Sequence, residues 1–341
     1  MEESELLLEV KGLKTHFFLD EGTVKAVEGV DFVLPRGGTL GIVGESGCGK
    51  TVTAYSITQL IESPGRIVAG QILFHRRLNG ALPGSAVTEV VDLAKLRPES
   101  RQMCAIRGSE IAMVFQEPMT AFSPVHTIGD QISEVILWHR KVSKKEANEQ
   151  TVEMLRRVGI PKAETRLDTY PFQFSGGMCQ RAMIAMALVC RPSLLIADEP
   201  TTALDVTMQA QILELMQRLQ REMGMAIMLI THNLGVVAEI CDEVAVMYLG
   251  EMVEQASVDA LFHDPLHPYT QALLRSIPKL GASKGGRLDP ITGAVPDPYN
   301  RPTGCPFHPR CAPVISDKCA TEPSPVFRKP DGRTVRCWRY A

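Results

Sequence analysis

The sequence predicts an α/β protein built on a mostly parallel sheet, with an inserted helical subdomain and a small cysteine-rich extension at its end. Three observations carry this. Four short apolar runs, "TLGIV" at 39–43, "LLIA" at 194–197, "AIMLIT" at 226–231 and "EVAVMYL" at 243–249, lack polar alternation, as strands buried on both faces do. Between the second and third lies "TMQAQILELMQRLQREMG", with Ile212, Leu215, Met216 and Leu219 on one helical face, Thr207 expected as its N-cap and Gly224 as its stop. That is a strand-helix-strand unit. Directly after the first apolar run, "GIVGESGCGKT" matches G-x-x-x-x-G-K-[ST] and leads into a helical start.

The remaining texture divides the chain. Residues 126–190 carry long amphipathic stretches such as "SKKEANEQTVEMLRRVGI" and little strand signal, so an inserted helical subdomain is expected there. From about 280, "GASKGGRLDPITGAVPDPYNRP" is a Gly- and Pro-rich linker signal, followed by a proline-rich tail with four cysteines. The expected division is a nucleotide domain over 1–275 and a linker with its extension over 276–341. The 36 basic and 39 acidic residues give a net charge of -3 and no basic footprint for nucleic acid. The longest apolar run, Ala182 to Cys190, is bracketed by arginines and too short to span a bilayer. The acidic start "MEESELLLEV" lacks the pattern of a secretory signal, so a cytosolic chain is expected. Nine cysteines in a reducing compartment do not suggest a disulfide framework. Cys48, Cys104, Cys179, Cys190 and Cys241 are scattered and read as packing or loop residues.

The glycine-rich loop predicts a phosphate site. Gly44, Gly47 and Gly49 let backbone N–H groups wrap an anion, the following helix adds its dipole, Lys50 reaches the terminal phosphates and the Thr51 hydroxyl meets magnesium. The whole stretch, with Glu45, Ser46, Cys48 and position 52 (Val52), is expected to line the nucleotide. The second buried strand ends in Asp198-Glu199, where Asp198 is placed to hold magnesium through water and Glu199 to polarise an attacking water.

Further motifs follow in order: Gln116 in "MVFQEP", "FSGGMCQR" at 174–181, "TTALD" at 201–205 and "LITHN" at 229–233. Over roughly residues 5–275 the chain resembles the ATPase subunits of ABC transporters. The resemblance implies that Phe17, 27 residues before Gly44, stacks on adenine, with Phe18 as the alternative. It implies that Gln116 senses magnesium and the attacking water, and that Glu199, His232 and Lys50 serve hydrolysis. Ser175, Gly176 and Gly177 would cap the γ-phosphate of an ATP held by a second ATPase subunit, and Asp205 would act across that dimer. The stretches "EPMTAFSPVHTIGDQI" and "DPLHPYTQALLRSIP" and the tail resemble the ATPases of dipeptide and oligopeptide importers, a branch that includes nickel and glutathione importers. In that branch two different ATPase chains, two integral membrane subunits and an external binding protein work together, which places the ATPase peripherally on the cytoplasmic face. Residues 117–125 would then receive a cytoplasmic helix of a membrane subunit. A soluble ABC ATPase outside transport is the rival, although one phosphate loop and no basic stripe speak against it.

The tail cysteines Cys305, Cys311, Cys319 and Cys337 are spaced C-x5-C, C-x7-C and C-x17-C, without the tight pair common at structural zinc. A cubane accepts such spacing because its ligands lie farther apart. Zinc and unligated thiols remain alternatives on spacing alone. The resemblance implies a [4Fe-4S] cluster, with a structural role, in a segment that by itself buries little core.

Overall fold

The computed structural model describes residues 6–77, 88–202, 204–277 and 291–341. Of the linker expected at 281–302, residues 281–290 lie outside the described residues. In chain order the elements are β1 (Leu6–Leu19), β2 (Gly22–Pro35), β3 (Thr39–Val43), α1 (Lys50–Thr58), β4 (Gly65–Arg77), β5 (Thr88–Asp92), α2 (Arg101–Ile106), β6 (Ile111–Val114) and α3 (Ile128–His139). There follow α4 (Lys144–Arg157), α5 (Gly176–Leu188), β7 (Leu194–Asp198), α6 (Val206–Met223), β8 (Ala226–Thr231), α7 (Leu234–Ile240), β9 (Glu243–Tyr248) and β10 (Glu251–Ser257). The chain continues through α8 (Val258–His263), α9 (Pro268–Arg275), α10 (Lys318–Thr321), β11 (Val326–Arg328) and β12 (Thr334–Arg336). They form two compact units, one from residues 6–7, 34–39 and 75–230, the other from 8–33, 40–74 and 231–341.

In the first unit β6, β7 and β8 run parallel, with Ile111 opposite Leu194 and Leu194 opposite Ala226. Every residue of β7 and β8 is buried, which explains apolar runs without alternation. Helices α3, α4 and α5 pack together, and Ile132 and Ile136 of α3, Leu155 of α4 and Ala182 of α5 are buried. Their starts are written in the sequence. Thr127 caps α3, and Ser143 with Glu146 forms a capping box on α4.

Helix α6 buries Ile212, Leu215, Met216 and Leu219, the expected face, and stops at left-handed Gly224. Its start differs. Asp205, not Thr207, is the N-cap, because the Asp205 carboxylate accepts the Met208 N–H at 2.9 Å and so begins the helix two residues earlier.

In the second unit β1 lies between β2 and β4, antiparallel to β4. Strand β3 pairs in parallel with β9, Leu40 opposite Glu243 and Val43 opposite Val246. Antiparallel β10 extends β9, β12 pairs with β10, and β11 pairs with β12. The extension therefore ends as part of this unit's sheet. It also buries more than its composition suggests: Phe307 is 2% exposed and meets Tyr248, Tyr269 and His267 at ring-centroid distances of 5.2, 5.3 and 5.9 Å. Such aromatic clustering adds dispersion and quadrupole contacts to the area buried.

Candidate functional site

The phosphate-loop residues all lie in the second unit. Buried β3 delivers Gly44 to the loop, and α1 begins at Lys50 after a left-handed Gly49 with φ 103°. A Cβ at Gly49 would lie 2.1 Å from the Ala26 carbonyl oxygen, and one at Gly44 2.2 Å from that of Met247. Both positions therefore require glycine on steric grounds. Gly47, with φ 77°, faces open space, so its glycine answers to backbone conformation rather than crowding. The Lys50 ammonium donates to the Gly44 and Glu45 carbonyls at 2.8 and 3.0 Å, folding back over the loop. Cys48 is buried and its backbone closes the loop: its N–H reaches the Glu45 carbonyl at 3.3 Å and its carbonyl takes the Gly250 N–H at 2.9 Å. Burial pushes its thiol up, which keeps it an inert packing group. Thr51 is half-buried on the first turn of α1. Val52 has no hydroxyl to offer, so position 52 can contribute its backbone alone; the hydroxyl of the next residue, Thr53, is buried against the Gly49 carbonyl at 3.0 Å.

Other expected residues of this unit are arranged as follows. Phe17 is half-buried and sits across from Gly65, where a Cβ would come within 2.5 Å of its ring, while Phe18 is exposed beneath the Arg66 guanidinium at 4.3 Å. His232 is exposed just after β8, ahead of Asn233, which caps α7 by accepting the Gly235 and Val236 N–H groups at 2.9 and 3.4 Å. That capping explains the asparagine there.

The first unit holds the remaining groups. Asp198 is buried at the end of β7. Glu199 has φ 45°, a left-handed conformation rare outside glycine, held by its N–H bonding the Ile230 carbonyl at 2.8 Å. Strain of this kind collects at functional positions. The Glu199 carboxylate accepts from Gln116 Nε2 at 3.2 Å and from the Thr202 hydroxyl at 2.8 Å. Two motif residues 83 positions apart are thus in direct contact. Ser175 caps α5 by accepting the Met178 N–H at 3.4 Å, leaving Ser175 and Gly176 exposed at the helix N-terminus. Phe174 is 7% exposed and anchors the approach to that helix. Asp205 is exposed.

Two residues that sequence reasoning passed over meet the phosphate loop. Within "DPLHPYTQ", His267 caps α9, its Nδ1 accepting the Tyr269 N–H at 3.0 Å; it is fully buried and held neutral, its pKa lowered to about 3 by burial. That cap carries Tyr269 into the core, where its hydroxyl accepts the Glu45 N–H at 2.9 Å. From the tail, Arg310 grips the Glu45 carboxylate with both terminal nitrogens, at 2.7 and 3.0 Å. A histidine-proline-tyrosine run before a helix was the available signal for Tyr269; nothing in the local sequence marks Arg310.

Cys305, Cys311, Cys319 and Cys337 line one pocket, together with Ser324 and Trp338. Burial first, then the facing Cys305, Cys337 and Cys319, pushes the Cys311 thiol up to about 12. The Cys305 N–H bonds the Cys319 carbonyl at 2.9 Å, tying two of the four segments. Among the described residues, no group of three or more His, Cys, Asp or Glu side chains is arranged to hold a single metal ion. Among them, too, no helix is long and apolar enough to cross a membrane.

Residues 27–202 match the family model of the ABC transporter, and 253–319 match that of the oligopeptide/dipeptide transporter C-terminal region. The chain is 50% identical to the oligopeptide transport ATP-binding protein AppD of Bacillus subtilis, over 98% of this chain and 97% of that one. It is 48% identical to the dipeptide transport ATP-binding protein DppD of the same organism, over 98% and 95%. Its backbone is similar to that of cbiO1 from Clostridium perfringens, part of the ABC transporter complex cbiONQ, with a TM-score of 0.60 at 27% identity over 76% of this chain and 92% of that one. Motif order, the loop geometry and these likenesses agree: the chain belongs to the ABC transporter family, as an ATP-hydrolysing subunit carrying the C-terminal region of the oligopeptide/dipeptide branch.

Proposed function

We propose that this chain powers uptake of dipeptides and oligopeptides, binding and hydrolysing ATP on behalf of separate membrane permeases. The observation that carries the hydrolytic part is the contact of Gln116 and Thr202 with a Glu199 held in a strained left-handed conformation. In this reading the backbone from Gly44 to Thr51 and the Lys50 ammonium take the phosphates, and Phe17 stacks on adenine. Glu199 polarises the attacking water, Gln116 orients that water, and His232 contacts the γ-phosphate. Thr51 and Asp198 would hold the magnesium ion, which neutralises phosphate charge when bound. Ser175 with Gly176 and Gly177 at the start of α5, together with Asp205, serves a second ATPase subunit: exposure of that helix N-terminus supports an anion contact made outside this chain. In this reading 1–275 is the nucleotide domain, with a helical subdomain at about 126–190, and 276–341 is the linker and cysteine-rich extension. Residues 117–125 meet a permease, which keeps the chain peripheral on the cytoplasmic face.

In cells lacking this chain, ATP-driven uptake of labelled di- and oligopeptides is expected to fall to background and to return with the wild-type chain but not with Lys50→Ala. Loss of nickel or glutathione uptake instead would reassign the cargo, and unchanged uptake of all of them would remove the transport role.

In this reading Cys305, Cys311, Cys319 and Cys337 of the tail would hold a [4Fe-4S] cluster. The four cysteines line one pocket, and their spacing lacks the tight pair common at structural zinc, which supports this reading over zinc. Such a cluster would crosslink a segment with little regular structure. Protein purified without oxygen should be brown and contain about four irons and four acid-labile sulfides per chain. Cys311→Ser or Cys319→Ser should bleach it and open the tail to proteases. Stoichiometric zinc without sulfide would overturn the cluster.

A further inference from the structure

We propose that Arg310 of the C-terminal extension is a positioning residue for the phosphate-binding loop, setting ATP affinity through Glu45.

Glu45 is the loop residue that everything else holds. Its carbonyl accepts from Lys50 Nζ at 3.0 Å and from the Cys48 N–H at 3.3 Å. Its N–H is taken by Tyr269, and its carboxylate by both terminal nitrogens of Arg310. The two ends of this arrangement differ in chemistry. The backbone end fixes where Lys50 points and where the loop N–H groups sit. Among the described residues, the side-chain end is held by Arg310 of the tail.

Arg310 is itself immobilised. Its side chain is 4% exposed, its Nε donates to the Thr292 carbonyl at 3.1 Å, and one terminal nitrogen also donates to the Tyr248 hydroxyl at 3.3 Å. A planar guanidinium meeting a carboxylate with two parallel bonds specifies orientation as well as distance, which an ammonium cannot do. Glu45 keeps the guanidinium charged far above any working pH. The backbone N–H of Arg310 bonds the Phe307 carbonyl at 3.0 Å, and Phe307 is sealed in the aromatic core. The extension thus presents one rigid cation to one loop residue.

A phosphate loop binds tightly when its N–H groups are already arranged before the anion arrives. If Glu45 loses its anchor, the loop spends part of its time in arrangements that do not bind, and the apparent Kd rises by the inverse of the competent fraction. Once ATP saturates the site the loop is ordered by its ligand, so turnover is spared. The expected signature is a raised Kd and KM with an unchanged kcat.

The proposal rests on the reading of residues 44–51 as the ATP site, and the test separates the two. Binding of MgATP to the full-length chain is measured by calorimetry for wild type, Arg310→Met, Arg310→Lys, Glu45→Gln and Lys50→Ala. Arg310→Met and Glu45→Gln should each raise Kd about tenfold, the cost of a lost charged hydrogen-bond pair. The double variant should be no weaker than either single one, and Arg310→Lys should fall between. In the assembled transporter Arg310→Met should raise KM for ATP and leave kcat within twofold. Glu45→Gln retains the whole tail, so it decides the matter should Arg310→Met fold poorly. Unchanged affinity in Glu45→Gln beside a Lys50→Ala chain that has lost binding would overturn the positioning role, as would additive losses in the double variant. A Lys50→Ala chain that binds ATP like wild type would overturn the site on which the proposal rests.

Discussion

Glu199→Gln is expected to bind MgATP with near-normal affinity and to hydrolyse it about 10²- to 10⁴-fold more slowly, the usual cost of losing a positioned base. Glutamine preserves the length of the side chain and can still accept from Thr202, so the geometry around β7 survives while the charge proposed to polarise water is gone. The backbone supports this separation: φ at residue 199 is fixed by its N–H bond to the Ile230 carbonyl, which the substitution leaves untouched. Steady-state phosphate release from the assembled transporter, set beside MgATP binding to the same preparation, checks both halves. Hydrolysis within a few-fold of wild type would assign the base to another residue. A chain that hydrolyses slowly because it no longer binds ATP would assign Glu199 to binding.

Gly49→Ala is expected to abolish MgATP binding, an affinity loss beyond about 100-fold, or more than two tenfold steps. The added methyl would lie 2.1 Å from the Ala26 carbonyl oxygen and 2.9 Å from the Met247 methyl, and φ 103° is closed to alanine. A methionine tip can swing away. The carbonyl of β2 cannot, so α1 must shift and take Lys50 and Thr51 with it. Gly47→Ala offers the comparison: with φ 77° and no neighbour within 4 Å, it should retain the fold at a conformational cost of about 1–2 kcal/mol. Thermal unfolding and calorimetric titration of the two variants distinguish displacement of the helix from local backbone strain. Wild-type binding by Gly49→Ala would mean that the loop closes by another route.

What the sequence revealed, and what it withheld, follows from how far each signal reaches along the chain. The apolar runs became β3, β7, β8 and β9 because strands buried on both faces need no partner information to be recognised. The glycine loop was legible because its spacing is a local signature, even though the carbonyls that require Gly44 and Gly49, those of Met247 and Ala26, lie outside the motif. The start of α6 was misread because Thr207 and Asp205 are both good caps, and the choice turned on which side chain reaches the Met208 N–H. Strands β11 and β12, three residues each, carry no periodicity long enough to read; their existence depends on the edge that β10 offers. Arg310 was invisible because its partner lies 265 positions away. A proline-rich tail reads as a segment without a core of its own; Phe307 is buried in a cluster with Tyr248 and Tyr269, and Val335 is buried on β12, opposite Glu254 of β10.

The parallel pairing of β3 with β9 has a kinetic consequence. Leu40 meets Glu243 and Val43 meets Val246, so the strand that carries the phosphate loop is completed by residues about two hundred positions later. The loop's inner wall has the same origin, since Gly44 is fitted against Met247 and the Cys48 carbonyl is bonded by Gly250. Loop-closure entropy for so long a separation must be overcome before any of these contacts repays it, which makes parallel pairings of this kind slow to form. Nucleotide-binding competence should therefore be among the last properties the folding chain acquires. During synthesis the motif, read early in the sequence, waits for β9 to emerge. Until then a glycine-rich hinge beside an apolar strand is left open, the kind of transiently unpaired strand that invites misassembly.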